Sequence, residues 1–212
     1  MIRQYSIKLR QKRFTLFLNK IKNLSSPIRI LDLGGTYKFW QEVNFDKELN
    51  ANSDFASITL LNLNKEKVNH PSFISVQGDA TDLSDYKDDE FDIIFSNSLI
   101  EHLYTYDNQE KMAKSVMRIG KKYFIQTPNK YFPIEPHYFF PFFQFMPYPL
   151  KKILMMKTKI IEGKYHNEKS VQRAHDVIRL LSKEELGKLF IDGRIYREYL
   201  FGFTKSFMIT NL

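Results

Sequence analysis

The stretch Ile28-Arg29-Ile30-Leu31-Asp32-Leu33-Gly34-Gly35-Thr36 decides how the rest of the chain is read. Its first six residues form a short, largely apolar run that suits a buried strand. The two glycines then let the backbone turn tightly toward a helix and approach a ligand closely. An acid inside such a strand is unfavourable unless it serves a purpose, and Asp32 can hold the loop or a cationic ligand amine. Taken alone the signal is weak, because short Asp-x-Gly turns occur in many unrelated sheets.

What surrounds it raises its weight. Upstream, Phe14, Phe17, Leu18 and Ile21 recur at helical spacing and predict a helix over residues 3–24, ended by Ser25-Ser26-Pro27. Downstream, a polar helical stretch is expected around Phe39–Leu49. Strands are expected at Ser57–Leu63, Ser72–Gln77, Phe91–Ser96 and Lys122–Gln126. Ser98 and Glu101 have the spacing of a capping box that would start a helix, and so do Ser182 and Glu185. Arg194–Leu200 and Ser206–Thr210 suit a closing antiparallel hairpin. Strands alternating with helices argue for a mostly parallel sheet covered on both faces. No repeat and no second domain is visible, so residues 1–212 are expected to form one domain, with an N-terminal helix over 1–26.

Residues 128–150 break the rhythm, with nine aromatics and, after Pro128, five further prolines. That many prolines argue against a long helix or a central strand. With the basic residues that follow, 128–169 is read as an apolar insertion acting as a substrate lid. Three uses are open to it: the wall of a pocket for an apolar or sugar substrate, a contact with a membrane surface through its aromatics and Lys151, Lys152, Lys157 and Lys159, or a dimer contact.

Charge is unevenly spread over a net of +8. Residues 1–30 carry eight bases and no acid, residues 31–110 five bases and sixteen acids, and residues 111–212 nineteen bases and eight acids. A basic chain invites a nucleic-acid partner, but these bases are scattered without an Arg-rich run, which fits a solvated lysine-rich surface. No specific nucleic acid is therefore expected. Absence of cysteine excludes disulfides and thiol chemistry. With no apolar run long enough to span a bilayer and no signal-peptide pattern at the start, it agrees with a cytoplasmic location. No metal-ligand spacing stands out, and Asp88-Asp89-Glu90 suits a solvated loop.

Three blocks now stand in order: Ile30-Leu31-Asp32-Leu33-Gly34-Gly35, Gly78-Asp79-Ala80, and Phe91-Asp92-Ile93-Ile94-Phe95-Ser96-Asn97-Ser98-Leu99-Ile100-Glu101-His102-Leu103. Across nearly the whole chain this resembles the class I S-adenosylmethionine-dependent methyltransferases. The run Thr127–Phe143, with Arg179–Leu186 and Phe201–Phe207, is similar to a branch associated with small-molecule and surface-glycan methylation. The resemblance implies a Rossmann-like three-layer α/β sandwich. Its seven-stranded, mostly parallel sheet would carry an antiparallel C-terminal strand. S-adenosylmethionine is implied as cofactor, and the acceptor as a small molecule, a sugar or a lipid-linked compound. An RNA or protein methyltransferase and a non-catalytic binding protein are the alternatives.

Residue roles follow from the same resemblance. Asp32, Gly34, Gly35 and Thr36 would face the methionine half of the cofactor, Asn62 its ribose, Asp79 and Ala80 its adenine, and Ser96 and Asn97 the region of the sulfonium. The chain departs from the family where Thr36 and Lys38 replace later glycines of the loop. It departs again where Asn62, or Asn64 in a shifted register, replaces the usual acid, losing charge-assisted strength toward ribose hydroxyls. On the acceptor side His102 and His137 are candidate general bases, and Glu135, His137 and Tyr138 candidate substrate contacts. The plainer readings are a packing role for His102, a helix cap for Glu101, and bonding of Glu135 and His137 to the backbone of their own loop.

Overall fold

In the computed structural model, residues 2–25, 27–45, 56–157 and 167–212 are described. The expected strands form β1 (Ile28–Leu33), β2 (Ala56–Asn62), β3 (Phe73–Gln77), β4 (Phe91–Asn97) and β5 (Gly120–Pro128). The hairpin β8 (Arg194–Leu200) and β9 (Phe203–Thr210) completes one seven-stranded sheet in the order β3-β2-β1-β4-β5-β9-β8. Strands β1 to β5 run parallel to their neighbours, and β9 lies antiparallel to β5. This is the Rossmann-like α/β sheet that the alternation of elements implies.

Side-chain alternation sorts the core into two layers. Ile28 and Ile30 of β1, Ile93 and Phe95 of β4 and Phe124 of β5 pack on one face. They meet Phe14, Phe17 and Ile21 of α1 (Ile2–Ile21) and Trp40 of α2 (Tyr37–Glu42). Leu31 and Leu33, Ile94, Tyr123 and Ile125 face the other way. There they meet Met112, Ala113 and Val116 of α3 (Tyr106–Ile119) and Leu186 and Leu189 of α6 (Lys183–Leu189). Helix α1 stops at Ile21 rather than at residue 24, and α2 is shorter than its polar pattern predicts; residues 46–49 of that pattern lie outside the described residues.

The capping box at Ser182 forms as expected: its hydroxyl accepts from the Glu185 amide at 3.2 Å, and the Glu185 carboxylate accepts from the Ser182 amide at 2.8 Å. The one at Ser98 does not. Ser98 adopts φ +62, and Leu99 opens a short 3-10 turn over Ile100–His102 without a side-chain cap. Helix α3 starts later, capped by Thr105, whose hydroxyl accepts from the Asn108 amide. The spacing misleads because Glu101 turns inward, where it is fully buried.

The insertion folds as a two-strand ribbon, β6 (Ile134–Glu135) and β7 (Phe140–Pro141), a 3-10 turn over Phe143–Phe145, and α4 (Tyr148–Lys157). Helix α5 (Glu168–Asp176) follows the stretch 158–166, which is outside the described residues. Pro149 is compatible with α4 because it sits in the first turn, where no intrahelical amide bond is lost. Tyr138, Phe143 and Met155 form a small core with Val171 of α5, so the described part of the insertion is packed rather than a loose strap.

Candidate active site

The loop after β1 is built as close-packing demands. Gly34 takes φ +75, and a Cβ there would lie 2.8 Å from Leu99 Cδ1. At Gly35 a Cβ would fall 1.6 Å from Asp32 Oδ2, so any side chain would displace the acid. The Gly34 amide donates to the Leu61 carbonyl at 2.9 Å, and Asn62 Nδ2 donates to the Gly35 carbonyl at 2.5 Å. Thr36 fills a later glycine position of the family pattern without strain. It has an extended backbone at φ −125 and caps α2, accepting from the Phe39 amide at 3.3 Å. The exchange trades loop freedom for a helix cap.

Asp32 is fully buried and receives Trp40 Nε1 at 2.8 Å on Oδ2, while its Oδ1 has no hydrogen-bond partner. Burial pushes its carboxyl up to about 7 despite the Trp40 bond. An unpaired buried acceptor is costly, and at a loop that a side chain would close it marks a place for a donor from outside. The orphaned oxygen and the glycine cradle fit the amine end of S-adenosylmethionine. Asp32, Gly34, Gly35, Thr36 and Asn97 together line a hollow of about 270 Å³ with Arg10, Lys38 and Glu42 of the neighbouring helices.

A second, longer cleft of about 510 Å³ shares Gly34 and Thr36 with that hollow. Its walls include Asn62, Asp79 and Ala80, and it extends to His102. Thus the parallel strands β1, β2 and β3 all deliver residues to one cleft beyond their carboxyl ends, where open α/β sheets bind ligands. Asp79 stays at the rim, with Oδ1 accepting from the Thr81 amide and hydroxyl at 2.8 Å each. Ser96 is placed differently from the expectation. It is fully buried and donates to the Leu33 carbonyl at 3.0 Å, tying β4 to β1 as part of the frame.

Sequence reasoning missed Glu66. It lines the same cleft and accepts from the Tyr37 amide at 2.6 Å, four positions beyond Asn62. The signal was available, since Glu66 is the one acid between Asn62 and Gly78. It brings a carboxylate back to the side of the cleft where Asn62 replaced one.

On the far side the insertion meets the Ile100–His102 turn. The His102 and His137 rings lie edge to face with centroids 4.9 Å apart. His137 Nδ1 is 2.7 Å from Glu135 Oε1, and Glu135 Oε2 accepts from the His137 and Tyr138 amides at 2.7 Å each. The loop-bonding reading of Glu135 therefore holds: it is 2 % exposed and committed to shaping its own turn. Tyr138 is also buried, packed on Phe143 with centroids 4.3 Å apart. Both still border a cavity of about 210 Å³ with Lys130, Gln144, Lys151 and Arg179.

Glu101, read as a cap, instead accepts from Thr127 Oγ1 at 3.0 Å on Oε2 and leaves Oε1 without a hydrogen-bond partner. Its turn is fixed by the Arg179 amide on the Glu101 carbonyl at 2.7 Å and by Gln109 Nε2 on the Ile100 carbonyl at 2.9 Å. Burial pushes the Glu101 carboxyl up to about 7. Burial, with the neighbouring His137 charge, lowers His102 to about 4, so its ring is neutral near pH 7. Burial works to lower His137 as well, yet Glu135 beside it and the Glu101 charge hold it above the ordinary histidine value. The Asp88–Glu90 loop is, as expected, on the surface, with Asp88 paired to Arg118 at 2.9 Å.

Comparison with known proteins agrees with this geometry. Residues 47–123 match the family model described as a methyltransferase domain. No curated protein sequence matches the chain. Among solved structures, the chain is similar to a SAM-dependent methyltransferase from Aquifex aeolicus at 14% identity and a TM-score of 0.50, over 91% of this chain and 86% of that one. A SAM-dependent methyltransferase from Methanosarcina mazei aligns at 13% identity and TM-score 0.50, over 89% and 93%. The 1,6-didemethyltoxoflavin-N1-methyltransferase of Burkholderia thailandensis, solved with S-adenosylhomocysteine and 1,6-didemethyltoxoflavin, aligns at 13% and 0.51, over 95% and 76%. These likenesses show the fold. With the family match, they support a SAM-dependent methyltransferase that uses S-adenosylmethionine.

Proposed function

We propose that the chain transfers the methyl group of S-adenosylmethionine to a small-molecule, sugar or lipid-linked acceptor held between the cofactor cleft and the insertion. One observation carries the reading: the cleft that holds Gly34, Asn62, Asp79 and Ala80 runs without a break to His102, which faces His137 of the insertion. When bound, S-adenosylmethionine supplies a methyl group already activated by its sulfonium. The chain's own work is then placement and exclusion of water. Asp32 and the Gly34–Thr36 turn hold the methionine end, Asn62 and Glu66 the ribose, and Asp79 with Ala80 the adenine. His102 lines the acceptor end of that cleft, with its ring uncharged near pH 7.

The exposed insertion aromatics Phe139, Phe142 and Phe145 support the lipid-linked end of this acceptor range and a peripheral membrane contact. The reading is tested by incubating the protein and a cell extract with methyl-labelled S-adenosylmethionine. Label in the small-molecule, glycan or lipid fraction is expected. Label confined to RNA or protein would overturn the acceptor class, and no label in any fraction would favour the non-catalytic alternative.

A further inference from the structure

We propose that Glu101, His102 and His137 form a site for one divalent transition-metal ion, zinc or manganese in kind, at the acceptor end of the cleft. Each residue offers one ligand atom, and these atoms all lie within 4.8 Å of one another. Metal bonds of about 2.0–2.2 Å place neighbouring ligand atoms about 3–4 Å apart, so small side-chain rotations close the set around an ion. Nothing in the sequence spacing announces the site, because its third member comes from the insertion, 35 residues beyond His102.

Three features go beyond proximity. Glu101 is fully buried and its Oε1 lacks a hydrogen-bond partner, although Oε2 is held by Thr127. A buried carboxylate oxygen with no donor calls for a cation or a proton donor. Of the charges that reach Glu101, Arg13 is itself paired with Glu198 at 3.5 Å and His137 with Glu135 at 2.7 Å. His137 is held by Glu135 through Nδ1 at 2.7 Å, which fixes the ring and directs the lone pair of Nε2 elsewhere. A carboxylate behind an imidazole is the usual outer support of a metal-binding histidine. Finally, the Arg179 amide and Gln109 Nε2 hold the main chain of the Ile100–Glu101 turn, so the backbone that carries the first two ligands is fixed.

One carboxylate and two imidazoles suit zinc or manganese better than magnesium or calcium, which prefer all-oxygen ligand sets. Three protein ligands leave coordination positions open. His102 lines the cofactor cleft, so an open position there suits an acceptor oxygen, and the acceptor class becomes a hydroxyl or enol rather than an amine. That last step rests on the methyl-transfer reading, whereas cation binding does not.

The test is calorimetric titration of the full chain, stripped with a chelator, with manganese chloride and separately with zinc chloride. One saturable site is expected. His137→Ala and His102→Ala should each weaken it by about 100-fold or more, and Glu135→Gln, which removes no ligand, by about 10-fold. No saturable heat with either metal, or equal affinity in wild type and His137→Ala, would overturn the site. Because Glu101 is buried, Glu101→Gln is read only where its melting curve matches wild type, and unchanged affinity there overturns the site as well. S-adenosylhomocysteine titrated into the same samples keeps the two proposals apart. Binding of S-adenosylhomocysteine without cation binding defeats the metal site alone; cation binding without it defeats the cofactor reading alone.

Discussion

Glu135 accepts from three groups of His137 and Tyr138, two and three positions further on: the His137 ring and amide and the Tyr138 amide, each at 2.7 Å. A fully buried acid thereby sets the direction of the insertion's histidine. Glu135→Ala should strip these donors of their acceptor at a cost of about 1–3 kcal/mol to the local structure. Hydrogen exchange at the His137 and Tyr138 amides should rise by at least 10-fold while the amides of β1 and β4 stay protected. Equal protection in the variant would show that Glu135 does not hold the turn.

The glycine cradle makes a sharper prediction. Gly35→Ala places a methyl group 1.6 Å from the wild-type position of Asp32 Oδ2, so the acid or the loop must move. Affinity for S-adenosylhomocysteine should fall by more than 10-fold, while a fold carried by the two core layers persists by circular dichroism. Retained affinity would mean the loop binds nothing that Asp32 organises.

Asp32 also ties stability to pH. Burial raises its folded-state carboxyl from 3.8 to about 7, so between those values the folded chain holds a proton that the unfolded chain has lost. Stability therefore falls as pH rises from about 4 to 7, and the loss is complete above the folded value. Glu101, also raised to about 7, adds to the same trend. Asp32→Asn should flatten the fall in melting temperature between pH 5 and 8. A ligand amine that needs the ionised acid should bind more tightly as pH rises through the same window. His102, lowered by burial to about 4, works the other way over part of this range, so the variant is read against wild type: an equal pH slope in Asp32→Asn and wild type would contradict the assignment.

Much of the fold was legible because it depends on local signals that agree. Apolar runs mark the strands, Ile28 and Ile30 against Leu31 and Leu33 give β1 two buried faces, and the Ser182–Glu185 pair forms the cap its spacing implies. That Gly34, Thr36, Asn62, Asp79 and Ala80 share one cleft was legible for a related reason, since they follow strand ends in chain order. Two kinds of fact were not. Ser98 and Glu101 have capping spacing, but whether an acid turns out to a helix end or in toward Thr127 depends on what lies beneath it. The meeting of His102 with His137 depends on how the insertion docks, and no spacing within the chain encodes that distance.

The insertion's surface carries its own test. Phe139 and Phe142 are 63% and 58% exposed and both adopt left-handed backbone, at φ 52 and 55. Aromatics held outward at such a cost fit insertion into an interface. Wild-type protein should sediment with vesicles containing anionic lipid, less so at high salt, and a Phe139→Ser, Phe142→Ser double variant should lose most of this binding. Wild type that stays in the supernatant would remove the membrane contact from the account.

The central claim is that the Asp32–Thr36 loop and the cleft reaching Asn62, Asp79 and Ala80 hold S-adenosylmethionine, even with Thr36, Lys38 and Asn62 departing from the family pattern. Isothermal titration with S-adenosylhomocysteine tests it most directly. One site per chain with micromolar affinity is expected, weakened at least 10-fold by Asp79→Ala. No heat of binding up to about millimolar ligand, roughly −4 kcal/mol of binding free energy, would contradict it.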